Sequence, residues 1–162
     1  MSDHLPDPAT NPELFEGVLT RRVLAFVVDM AIVGIALGVV TIVGGIIGFL
    51  TFGIGWLVTL IVLPVIVVGY YAVTLGSPAR ATIGMQMMDI VLTPTRGQPL
   101  DGPMAFIHTL LFWITAWIAW PISLVVALFT PRRQMVHDYL AGTLMLRRSP
   151  MVRHWYTLRQ FS

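Results

Sequence analysis

Long apolar runs alternate with short polar punctuation along this chain. Residues 23–50 carry Asp29 as their one charged residue. Residues 54–75 carry none and contain Pro64, and residues 104–129 carry none and contain His108. Each run meets the roughly 20 residues a membrane-spanning helix needs. The first two are joined by the uncharged turn "TFG", which predicts a helical hairpin.

The pattern changes between the second and third runs. Residues 76–103 have turn residues at both ends and a β-prone "DIVL" in the middle, and "TRGQPLDG" reads as turns. After the third run comes "TPRRQMVHDYLAG". Thr130 suits a cap, Pro131 a first helical position and Gly142 a terminator, predicting a short helix over about residues 131–141. "GTLMLRR" then resembles a strand able to pair with "MQMMDIVL". The expected class is an all-α membrane protein: a helical hairpin, a third apolar helix that spans or re-enters, a short cytoplasmic helix and a small two-stranded pairing.

Composition supports a membrane rather than a soluble chain. Of 162 residues, 56% are hydrophobic and only 11% charged, against about a quarter charged in soluble domains. There is no cysteine, which excludes disulfides, thiolate metal sites and cysteine nucleophiles. Every basic residue is Arg. Arg21 and Arg22 precede the first run, Arg80 and Arg96 follow the second, and Arg132, Arg133, Arg147, Arg148, Arg153 and Arg159 follow the third. The positive-inside rule assigns all three groups to the cytoplasm. A third full span would carry the last group outside, so a tilted or re-entrant third element, broken at Trp120-Pro121, is favoured over a plain span. Residues 1–20 are acidic and Pro-rich, unlike a cleaved signal, and read as a disordered cytoplasmic lead-in. Residues 21–148 form the membrane domain, and residues 149–162 a basic, aromatic tail. RNA binding by that tail is less economical than adhesion to an anionic leaflet, so the expected partners are anionic lipid and not nucleic acid.

An acid at the centre of a membrane helix costs about 2.5–3.5 kcal/mol to insert, and less near the end. Arg22 and Asp29 stand at i and i+7, on one helix face with Ala25 between them. Two readings are open. Asp29 is a proton- or cation-accepting carboxylate poised by Arg22, or Arg22 anchors at lipid phosphate while Asp29 locks another helix by hydrogen bonding.

The residues "RRVLAFVVD" show an Arg-x-x-Ala-x-x-x-Asp spacing, "TIGMQMMDIVL" contains Thr-x-Gly, and "RRQMVHDYLAGTLML" places an Asp in a short helix before Ala-Gly-Thr. In this order, over about residues 18–148, the chain resembles the RDD family, named for one Arg and two Asp. By position these match Arg22, Asp29 and Asp138. Many members have Lys where this chain has Met85, and Arg where it has His108; both changes remove a permanent positive charge. The resemblance implies a bacterial inner-membrane protein, and the charge pattern of a multi-pass chain puts its N-terminus and its C-terminus in the cytoplasm. It also implies transport of a small ion or ligand, with cation–proton exchange as the sharpest form. The alternative is a non-transporting scaffold or accessory subunit.

Asp138 is expected to pair with Arg22 or with Arg132 and Arg133. Its neighbour His137 points about 100° away on a helix, so the two need not share a site. His4, His108, His137 and His154 show no i, i+4 pair, and neither a metal site nor any other cofactor is expected. His108 reads as a group titrating near neutral pH or as a satisfied interfacial residue. Gly34/Gly38 and Gly44/Gly48 read as close-packing positions or as tolerated glycines. No phosphate-cradling loop or nucleophile arrangement is present, which points away from an enzyme. Two or three helices enclose a pathway poorly, so transport implies a homo-oligomer; the scaffold reading implies an unidentified membrane partner.

Overall fold

The computed structural model describes residues 6–95 and 101–153. Helices α1 (Val18–Leu50) and α2 (Ile54–Leu75) form the expected hairpin. At its turn Phe52 and Gly53 both adopt left-handed backbone, φ 51° and 102°, a conformation only glycine takes without penalty. Thr51 ties the turn together, its hydroxyl donating to the Ile47 carbonyl at 2.7 Å and accepting from the Gly55 amide at 2.9 Å. The helices touch backbone to backbone beside this turn. A Cβ on Gly55 would stand 2.8 Å from the Gly48 Cα, and one on Gly44 would meet the Thr59 side chain. Gly44 and Gly48 are therefore packing positions, whereas Gly34 and Gly38 face open space.

Away from the turn this chain covers little of either helix. In the most apolar stretches of these two spans only 17% and 6% of residues are buried. Ile35, Ile42, Leu60 and Val65 are exposed. Such apolar surface is stable in lipid and unstable in water.

After α2 come the short helix α3 (Ile83–Met87) and strand β1 (Ile90–Pro94). The expected strand "MQMMDIVL" is thus helical in its first part. Thr82 starts α3 as its cap, accepting from the Met85 amide at 3.1 Å, and the extended backbone begins only after Asp89, whose φ is 57°. Helix α4 (Gly102–Phe129) starts from Asp101, which accepts from the Met104 amide at 3.1 Å. It turns by 111° between its segments Gly102–Ile118 and Pro121–Phe129. Pro121 lacks an amide hydrogen and clashes with the preceding turn, so the third apolar run breaks where expected. Two helices are thus long and apolar enough to span, and a third apolar element is bent.

Helix α5 covers Val136–Ala141, not residues 131–141. Thr130 closes α4 instead of opening α5, and Arg133 turns left-handed at φ 51°. The new start falls at Met135, whose amide donates to the Asp138 carboxylate at 3.0 Å. Gly142, at φ 65°, ends α5 as expected. Strand β2 (Thr143–Arg147) then pairs antiparallel with β1, Ile90 opposite Arg147 and Pro94 opposite Thr143. Since β1 precedes α4 and β2 follows it, the pairing brings the chain back to where α4 began.

The core lies at this end of the molecule. Val18, Ala25, Leu75, Ala81, Ile90, Leu92 and Ala105 cluster there. The lead-in joins it: residues 12–14 form a 3₁₀ turn, and Leu14 and Phe15 are buried against Leu144 and Leu146. The expected disorder over residues 1–20 is therefore corrected for residues 6–20, because two apolar side chains find the sheet. Residues 1–5, the loop containing Arg96, and the tail with His154 and Arg159 lie outside the described residues.

Candidate functional site

Asp29 is buried in α1 and takes three donors. The Tyr70 hydroxyl reaches its Oδ1 at 2.7 Å, the Thr82 hydroxyl its Oδ2 at 2.6 Å, and the Gly84 amide its Oδ1 at 2.8 Å. These donors come from α2, from the cap of α3 and from α3 itself. Gly84 permits the approach: a Cβ there would collide with the Ala25 carbonyl oxygen and stand 2.9 Å from the Asp29 Cγ. The Thr-x-Gly segment is thus a cradle for the carboxylate of α1. The expected Arg22–Asp29 partnership is corrected. The two share a helix, but hydroxyl and amide donors satisfy Asp29, and the guanidinium is engaged elsewhere.

Arg22 is also buried. Its Nη2 pairs with Asp138 Oδ2, its Nε meets the Met145 sulfur at 2.9 Å, and its Nη1 reaches the Arg133 carbonyl oxygen at 3.4 Å. Arg22 therefore binds into the protein rather than at lipid phosphate. Of the partners expected for Asp138, the structure selects Arg22. Arg133 contributes only a carbonyl, and among the described residues neither Arg132 nor Arg133 pairs with Asp138. Burial pushes the Asp138 carboxyl up, but Arg22, the two imidazoles and the Met135 amide together hold it below the usual range.

Two histidines complete this cluster, which the spacing argument had left scattered. His137 Nε2 lies 3.4 Å from Asp138 Oδ1, so these neighbours do share a site. The His108 ring stands 5.3 Å from the His137 ring, edge to face. Thr143 in β2 holds His108 Nδ1 at 3.2 Å, and Thr115 in α4 holds His137 Nδ1 at 3.4 Å. Burial, opposed by Asp138, brings His137 down to about 4, so its ring is neutral near pH 7. Asp138 Oδ1 is buried and has no hydrogen-bond partner among the described residues. His108 and His137 meet because the β1–β2 pairing and the α4 bend set α5 against the first half of α4. No local periodicity encodes that contact.

Both clusters line one cavity of about 570 Å³, walled by Phe26, Phe112, Tyr71 and Met145 with Arg22, Asp29, His108 and His137 among its polar groups. The volume is that of a small-ligand pocket. The buried Tyr71 hydroxyl also lacks a hydrogen-bond partner among the described residues. Tyr70, Thr82, Thr115 and Thr143 went unrecognised in the sequence. Tyr70 and Thr82 had a signal: hydroxyls at the end of an apolar span and in the Thr-x-Gly segment. Thr115 and Thr143 had none.

The model of the RDD family matches residues 17–142. No curated protein and no solved structure matches the chain.

Proposed function

The chain belongs to the RDD family, and from that premise we propose that it is a non-enzymatic transporter moving a small cation in exchange for protons through the cavity between α1, α4 and α5. One observation carries this reading. A buried carboxylate oxygen, without a hydrogen-bond partner among the described residues, lies 3.4 Å from an imidazole that lines a cavity inside an apolar helical domain. Buried ionisable groups in membrane domains are costly and mark ion or proton paths. The cation-binding end is the Asp138 cluster. Asp29, fully hydrogen-bonded, holds α1, α2 and α3 together.

The bacterial inner membrane is its place, with both termini on the cytoplasmic side. The Arg distribution and the return of β2 to β1 support this orientation. The Arg-rich face lies against anionic headgroups. Two spans and a bent third element do not surround a path across the bilayer, so the working unit is a homo-oligomer. The test is cation flux driven by a pH gradient in proteoliposomes. Wild type is expected to move the cation, and His137→Gln to lose at least about 90% of the rate, a loss of one polar cation contact or about 1.4 kcal/mol. Wild-type liposomes as silent as protein-free ones overturn the proposal.

The second reading, a scaffold or accessory subunit, is favoured by one observation, the complete satisfaction of Asp29. It predicts no flux, and losses confined to abundance and stability.

A further inference from the structure

His108, His137 and Asp138 are all buried, and one donor atom from each lies within 4.8 Å of the others. Asp138 uses its two oxygens unequally. Oδ2 takes Arg22 and the Met135 amide, whereas Oδ1 takes no hydrogen bond among the described residues. An unsatisfied buried acceptor is costly, so a protein that leaves one has a reason to.

The hydrogen bonds set what faces that oxygen. The Thr115 hydroxyl gives its proton to the Leu111 carbonyl at 2.8 Å. Its oxygen is left to accept from His137 Nδ1 at 3.4 Å. That tautomer places a lone pair on His137 Nε2, which lies 3.4 Å from a carboxylate oxygen. Two acceptors lie close together with no hydrogen bond between them. A cation turns that repulsion into two bonds. The His137–Asp138 spacing fits one: with metal–ligand bonds of about 2.0–2.1 Å, two ligands of a tetrahedral ion lie about 3.3 Å apart.

We propose that His108, His137 and Asp138 form a divalent transition-metal site of the zinc class, with its remaining position open to the cavity. This rests on the reading of the same cluster as the cation-binding end. The donor set decides the class. Two imidazoles and one carboxylate suit zinc, cobalt or nickel, whereas calcium and magnesium require oxygen-rich shells. Thr115 and Thr143 hold the Nδ1 atoms of the two rings and leave each Nε2 for a ligand bond, as the partners of metal-bound imidazoles do. Arg22 already balances the carboxylate and repels a cation. The site therefore holds its metal loosely, as a site that loads and unloads requires.

The test uses full-length, tag-free protein in detergent. Co²⁺ titration is expected to give the ligand-field bands of a four-coordinate ion at one per chain, displaced by Zn²⁺ and unaffected by Mg²⁺. His108→Gln and His137→Gln are each expected to weaken binding at least about tenfold, the loss that follows even from disturbing a ligand's outer partners. Replacing His4 and His154 together leaves the affinity unchanged. Thermal melting provides a readout should either variant fold poorly: Zn²⁺ raises the wild-type midpoint and Mg²⁺ does not. Absent stoichiometric binding by wild type, or an affinity indifferent to both variants, overturns the site. Metal binding in a protein that moves no cation in liposomes upholds the site and overturns transport. Sodium or potassium flux without any Zn²⁺ or Co²⁺ binding does the reverse.

Discussion

Two buried carboxylates in this protein solve the same problem in opposite ways. Asp29 surrounds itself with neutral donors, a tyrosine hydroxyl, a threonine hydroxyl and a backbone amide, all at 2.6–2.8 Å. Asp138 takes a guanidinium on one oxygen and leaves the other bare beside an imidazole. The first arrangement is closed: its donors arrive from α2 and from α3 with its cap, so the carboxylate works as a lock. The second is open: its charge is balanced but its coordination is not. A buried acid in a membrane protein is thus not by itself a functional site. Its unused lone pairs decide.

Breaking the pair at Asp138 is expected to have the largest effect on the fold. Arg22→Leu leaves the Asp138 charge buried without its cation and should cost about 3–5 kcal/mol, read as lost abundance and a lowered melting midpoint in detergent. Adding Asp138→Leu should restore most of the loss, because removing both charges removes the desolvation penalty with them. A double variant no better than the single one would show that Asp138 matters chiefly through its other contacts.

Asp29→Asn tests the closed site. The new amide points hydrogens at groups that are themselves donors, for an expected loss of about 1–3 kcal/mol, with cobalt binding at the other cluster unchanged. A metal affinity that falls with Asp29→Asn would mean the two clusters act as one, and the contrast between them would fail.

The smallest effect concerns Asp89, which ties the sheet to the following segment. It accepts from the Ser149 amide at 3.0 Å and from the Ser149 hydroxyl at 2.6 Å, with Arg147 at 3.5 Å. Partial burial pushes its carboxyl up, but Ser149 and Arg147 outweigh this and hold it below the ordinary 3.8. A depressed folded value means that the stabilisation is complete above about pH 5 and is lost as pH falls through the folded value. The stabilities of wild type and Asp89→Asn, read from thermal melts, should differ by less than about 1 kcal/mol at neutral pH and converge in acid. A gap that widens in acid would contradict the sign.

Much of the fold was legible because it is written locally. The spans, the hairpin turn, the break at Trp120-Pro121 and the stop at Gly142 each follow from residues within one element or its ends. The start of α5 was misplaced because Thr130 and Pro131 carry a valid local signal, which the tighter chain path after α4 overrides. The lead-in was misread because its composition is polar and Pro-rich, while Leu14 and Phe15 alone determine that it docks.

The candidate site divides along the same line. The sequence by itself determined that Arg22, Asp29 and Asp138 are the unusual charges of an apolar chain, and that a Thr-x-Gly segment and two strands flank the third apolar run. Only the tertiary structure decided that Arg22 serves Asp138, that Asp29 belongs to Tyr70, Thr82 and Gly84, and that His108 meets His137. The physical reason is range. Helical and strand periodicities relate residues a few positions apart, whereas these partners arrive from separate elements, brought together by a glycine contact, a proline bend and one antiparallel strand pair.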